Sequence, residues 1–302
     1  MNPIVNIVQF PHPGKEHGRD TKNGSRKSWN VCRRNGRDVG HARKFLLSPG
    51  VYIEDDKAGR GDLVFWGEWE PPSGVVRIPK DGPFHPGYLH TPYYTFPPGY
   101  PPAGQGRLQN TDPFVFGGKF RYGLCKQGGR NKSALAALEK GSLILFGSYK
   151  EDNKSPVFQL DTVFVIAGYK EYPIQNPAEL AGEGVWYKLV IEAAFPRPAA
   201  NPPLVFRLYY GATYEKPYDG MYSFSPARLY KETNPGFPRV TLGAKECERF
   251  SGNYINPALK QGKKISAAAP AEIKTFWEQI RAISRTQGCV EGVRFAMPKE
   301  RK

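Results

Sequence analysis

Short runs of β-branched and aromatic residues, cut repeatedly by Gly and Pro, limit what this chain can fold into. Residues 4–10 form one such run, and Pro11, Pro13 and Gly14 end it; residues 63–69 form another, opened by Gly61 and Asp62 and stopped by Pro71 and Pro72. Residues 142–146, 158–166, 186–194 and 204–210 repeat the pattern. Such segments favour strands, and the 33 Gly and 29 Pro spread along the chain favour irregular connections over long helices. One longer helix stands out near the end. Pro270 suits its first turn, Gly288 its finish, and Ile273, Phe276, Trp277, Ile280 and Ile283 share one face. Ser133 caps a shorter helix over 134–139. Residues 79–113, rich in Pro, Gly and aromatics, predict an ordered, packed loop. The expected fold is α+β, mainly β, with long irregular loops and a C-terminal amphipathic helix. With 302 residues and 39 % apolar content, the chain reads as a single large domain over 1–302. Within it, a β-rich core over 1–195 and a C-terminal extension over 196–302 are the expected parts.

The formal net charge is +15, and nearly all of it lies at the two ends. Residues 15–44 hold ten Lys/Arg against three Asp/Glu, and residues 260–302 hold ten against four. Concentrated charge of this kind reads as a footprint for phosphates, although solvated termini carry similar compositions. The expected partner is nucleic acid, DNA or RNA, or a nucleotide. No membrane partner is expected, because no stretch has the length and apolarity of a span, and no targeting segment is visible; the cytoplasm is the default location. The four cysteines, Cys32, Cys125, Cys247 and Cys289, form no CxxC pair, and the five histidines lack ligand spacing, so neither a metal nor another cofactor is expected. No GxSxG, P-loop, HExxH or dinucleotide fingerprint is present. Their absence removes the familiar enzyme classes without excluding an enzyme.

Four constellations carry the candidate chemistry. In the first, Arg33, Arg34, Arg43 and Lys44, helped by Lys263 and Lys264, would hold phosphates, while Trp29 would stack on a base and Asn35 would read its edge. In the second, Trp66 offers a ring and Glu68, on the same strand face, an acceptor for an amino group. The third is a polar segment around Asp112, with Cys125 beside Lys126. The fourth is Asp161, a carboxylate inside an apolar strand, which needs a partner if buried; Arg121 and Arg207 are the candidates. Asp112, Glu68 and Asp161 are also the candidate acids of an alternative reading, an enzyme acting on nucleotides or nucleic acid. A third possibility is a structural or partner-binding protein that uses the aromatic loop 79–113.

Trp29, Arg34, Asn35, Ala42, Arg43, Phe45, Leu46 and residues 61–65 together resemble the opening of the EVE branch of the PUA-like superfamily. Residues 140–146, 161–167 and 186–192 are similar to later strands of the same group. This resemblance, shared with the YTH and ASCH groups and with bacterial nucleotide-modification-associated domains, implies an open or closed β-barrel. It also implies an aromatic-lined pocket that accepts a modified or flipped base.

Overall fold

The computed structural model describes residues 5–12, 16–17, 32–34, 37–39, 42–82, 85–96, 99–100, 110–128, 134–152, 155–194, 204–233, 235–243 and 264–301. Its strands in chain order are β1 (Val5–His12), β2 (Cys32–Arg34), β3 (Arg37–Val39), β4 (Lys44–Glu54), β5 (Lys57–Gly67), β6 (Ser73–Arg77), β7 (Tyr88–Tyr94) and β8 (Arg121–Tyr122). There follow β9 (Leu143–Asp152), β10 (Ser155–Pro173), β11 (Val205–Gly211), β12 (Ser225–Leu229), β13 (Val240–Leu242), β14 (Lys264–Ala268), the helix α1 (Pro270–Thr286), β15 (Val290–Phe295) and β16 (Lys299–Glu300). The fold is mainly β, as the sequence predicts.

Two sheets dominate. The first runs β14-β1-β9-β10-β11-β8, with β13 also on β10; the second runs β15-β12-β5-β4-β7-β16, with β6 on β7. In the second sheet β15 pairs with both β12 and β4, so β4, β5, β12 and β15 form a closed circuit of pairings. The sheets are stitched together where Val163 bridges Phe224 and the Thr162 hydroxyl meets that of Ser225 at 2.9 Å. The 195/196 boundary does not separate the sheets, since β14 joins the first and β12, β15 and β16 join the second.

Two hydrophobic cores explain why the strand runs are apolar without alternation. Ile144, Phe146, Phe164, Ile166, Leu63 and Phe65 enter one core, while Leu143, Leu145, Val163, Val165, Val64 and Trp66 enter the other. Neighbouring residues point to opposite faces, so both faces of β5, β9 and β10 are buried. Helix α1 covers the second core with Ile273, Phe276, Trp277 and Ile280. The Glu272 carboxylate accepts the Ala269 N–H at 2.8 Å, and Gly288, at φ +75°, ends the run. Trp277 also donates its ring N–H to the Tyr222 carbonyl at 2.9 Å. Truncation of a ring this deeply packed costs about 3–5 kcal/mol.

Three expectations change. The segment 186–194 is helical, with a π turn over Tyr187–Ile191 followed by a 3-10 turn over Glu192–Ala194. Its buried Trp186, Leu189, Val190, Ile191, Ala193 and Ala194 recur at helical spacing, a period masked by β-branched residues. The helix expected over 134–139 is a single 3-10 turn, Ala134–Ala136, and Ser133 lies outside the described residues. The loop 79–113 contains a strand, β7, whose Leu89 and Tyr94 are buried, so this strand is partly interior rather than a free face.

Candidate functional site

The basic N-terminal segment begins and ends at a closed neck. At its entrance Glu16 and at its exit Arg43 form a β-bridge, and the His17 N–H donates to the Arg43 carbonyl at 2.8 Å. Strand β7 and the residues before it hold the same neck from the other side. The Glu16 carboxylate accepts the N–H groups of Gly87 (2.7 Å) and Tyr88 (3.0 Å). His90 Nε2 stands 3.0 Å from the His17 carbonyl, which can only accept, so Nε2 carries the proton and Nδ1 accepts from the Ser73 hydroxyl at 2.8 Å. Burial, with Lys44 nearby, pushes the His90 pKa down to about 3, so the neutral ring needed for this arrangement persists well into acid.

Between the neck residues, positions 18–41 carry seven Lys/Arg and two Asp. Within them β2 and β3 pair antiparallel, with Arg33 opposite Asp38 and Arg34 opposite Arg37. The side chains of Arg33 and Arg34 and the residues Trp29, Asn35 and Lys263 lie outside what is described. Lys264 opens β14, and its backbone lies beside Val8. Because β14 runs antiparallel to β1, the chain enters it from the end of β1 at which His12 leads into the basic segment.

Arg43 and Lys44 are not free phosphate ligands. Each is 1 % exposed. Lys44 donates to the Pro71 carbonyl at 3.1 Å. Arg43 turns inward and meets Glu68 at 2.7 Å and Asp161 at 3.6 Å. Its charge is kept because Glu68 and Asp161 outweigh the cost of burial and hold its pKa above the ordinary value. His12 Nε2 lies 3.3 Å from the same Glu68 oxygen. On the far side, Arg239 reaches Asp161 at 3.6 Å and donates to the Ser148 hydroxyl at 2.6 Å. Asp161 therefore has a guanidinium on each side, but these are Arg43 and Arg239. Arg121 pairs instead with Glu183, and Arg207 with Glu139 and Glu171.

Backbone geometry aims Asp161 inward. Leu160 pairs with Gly147 and Thr162 with Phe146, which leaves Asp161 as the extra residue of a β-bulge. An added Cβ at Gly147 would come within 2.1 Å of the Gln159 carbonyl oxygen, so the approach of the strands there depends on glycine.

Asp112 and Trp66 also lie inside. The Asp112 carboxylate accepts three N–H groups, from Gly123 (3.0 Å), Leu124 (2.9 Å) and Cys125 (2.8 Å), and its own N–H points at Glu68. Even so, burial pushes its pKa up to about 7. Trp66 donates its ring N–H to the Phe237 carbonyl at 3.1 Å, packs on Phe45 and carries the Arg239 guanidinium over its ring at 4.3 Å. At 5 % exposure it offers no face to a base. Glu68, at 3 % exposure, offers no edge. A pocket built from Trp66, Glu68 and Asp112 is thus corrected: both faces of β5 are covered, so residues at its end are drawn inside.

The three candidate acids do converge, but around Arg43 and the backbone rather than around a cavity. What they form is a buried charge network that fixes the root of the basic loop. Sequence reasoning missed His90 and Arg239, whose roles depend on pairings between distant segments. It passed over His12 and His17 with the other histidines as lacking ligand spacing; among the described residues no His/Cys/Asp/Glu group could hold a metal. No protein family, no curated protein and no solved structure matches this chain.

Proposed function

We propose that this chain is a nucleic-acid-binding protein whose contact element is the basic loop 18–41, held at a rigid neck. The observation that carries the reading is the neck itself. A segment with seven Lys/Arg against two Asp begins and ends on one bridge, Glu16 to Arg43, whose side chains are fixed from β7 and from the interior. A small antiparallel ribbon within it, β2–β3, suits a groove or a single-stranded backbone. The entry of Lys264 beside β1 supports the same end of the sheet as the second basic contact. Phosphates would be held by Arg33, Arg34, Lys263 and Lys264, with Trp29 and Asn35 left as the base-contacting candidates. The closed circuit of β4, β5, β12 and β15 supports a barrel-like core of the PUA-like kind. We place the protein's action in the cytoplasm, on DNA or RNA. The enzyme alternative is weaker, because Glu68, Asp112 and Asp161 are each occupied by guanidinium or amide partners away from solvent.

Fluorescence anisotropy with labelled single-stranded and duplex oligonucleotides, titrated across salt, tests this. Binding should weaken linearly in log–log form, and the Arg33→Ala/Arg34→Ala variant should lower the slope by about 1.4–1.8. An unchanged slope, or no binding at low salt, overturns the reading.

A further inference from the structure

A groove remote in sequence from the basic loop combines bare backbone walls with positive charge. Its volume is about 720 Å³, within the usual range of small-ligand sites, roughly 300–1,000 Å³. One wall is the middle of the β4–β5 hairpin, where Gly50 pairs with Gly61. The other is the turn Gly117–Gly118 and the end of β15. Both turn glycines have positive φ, +73° and +74°, a conformation that disfavours any side chain, so this wall stays bare. The turn is tied down because the Gly117 N–H donates to the Phe295 carbonyl at 2.9 Å. Gly50 is required in turn, since an added Cβ would meet the Arg294 carbonyl oxygen at 2.4 Å.

Three cations line this groove: Arg60, Lys119 and Arg294. Arg294 emerges after a β-bulge in β15, its stem lies against Gly118, and its guanidinium meets Glu215. Arg60 and Lys119 are exposed, and among the described residues neither has an acidic partner. Asp62, two residues from Arg60 on the same strand face, is the opposing charge. Among the described residues most other arginines meet an acid, so Arg60, over the same cavity as Lys119, stands out. A phosphate chain would fill only part of the volume, and Met297 and Val51 offer apolar surface for the rest.

From this geometry we infer a binding site for a free nucleotide, its oligophosphate held by Arg60 and Lys119 and its body laid toward Met297. None of the lining residues belongs to the basic loop, and the site does not depend on nucleic-acid binding there. Isothermal titration calorimetry of the full chain with ATP, inorganic tripolyphosphate and adenosine tests it. One ATP site is expected; tripolyphosphate should compete for it, and adenosine should bind at least about tenfold more weakly. Arg60→Glu/Lys119→Glu, exposed positions whose folding is checked by thermal melting, should weaken ATP about tenfold or more. Arg33→Ala/Arg34→Ala should leave ATP binding unchanged while it alters oligonucleotide binding. No ATP heat at millimolar concentration, adenosine binding equal to ATP, or ATP binding lost in the loop variant but kept in the groove variant would overturn the inference.

Discussion

The two basic ends of this chain have similar net charge and are tied to the fold in different ways. At the C-terminal end the arginines are all matched. Arg281 and Arg285 share Asp56 and Glu291, Arg294 meets Glu215, and Arg301 lies 4.0 Å over the Tyr93 ring. At the N-terminal end the described side chains of Arg43 and Lys44 are drawn inside, and the segment before them is fastened at the bridge to Glu16. A count of charges along a sequence therefore locates a basic segment but does not say whether its charge is spent on the fold.

The sharpest way to break this comparison is to remove the buried cation. Arg43→Met should cost about 3–5 kcal/mol in urea denaturation, because Glu68 and Asp161 lose a shared partner while remaining buried. A cost under about 1 kcal/mol would mean that the network does not hold the neck.

Acid should probe the neck from another direction. His90 is held down at about 3, so its contribution to stability is present above about pH 6.5 and lost as pH falls toward 3. Asp112 is raised to about 7, so its contribution is present below about pH 4 and lost as pH rises to 7. Between these limits the two slopes oppose, each up to about 1.4 kcal/mol per pH unit. His90→Gln should leave the Asp112 slope alone. The variant's urea midpoint should then fall from pH 4 to 7 relative to its parent's; parallel pH profiles would contradict the assignment.

Smaller effects should mark the C-terminal pairs and the loop. Arg294→Ala breaks a half-exposed pair and should cost no more than about 1 kcal/mol by thermal melting. Arg33→Ala/Arg34→Ala should shift stability by less than about 0.5 kcal/mol while changing the salt dependence of oligonucleotide binding. If the loop variant instead destabilises the fold strongly, the contrast between the two ends disappears.

How far the sequence reaches is clear from single residues. The strands through residues 144 and 164 were legible because apolar runs bounded by Gly and Pro leave few options. Helix α1 was legible because Pro270 and Gly288 bracket a 3.6-residue period. Asp161 was recognised as needing a partner, but Arg239 reaches it only because β13 pairs with β10. Trp66 was read as a stacking platform, although the unbroken apolar run from Leu63 to Trp66 is itself the mark of a strand covered on both faces. The partners of Asp112 are backbone amides eleven to thirteen residues on, which leave no side-chain signature.

The bridge between Glu16 and Arg43 makes the intervening 26 residues a replaceable module. Once a neck is fixed, doubling the tether it closes adds only about 0.6 kcal/mol of ordering entropy. Homologues or engineered versions could exchange, extend or neutralise this appendage while the two cores beneath stay as they are.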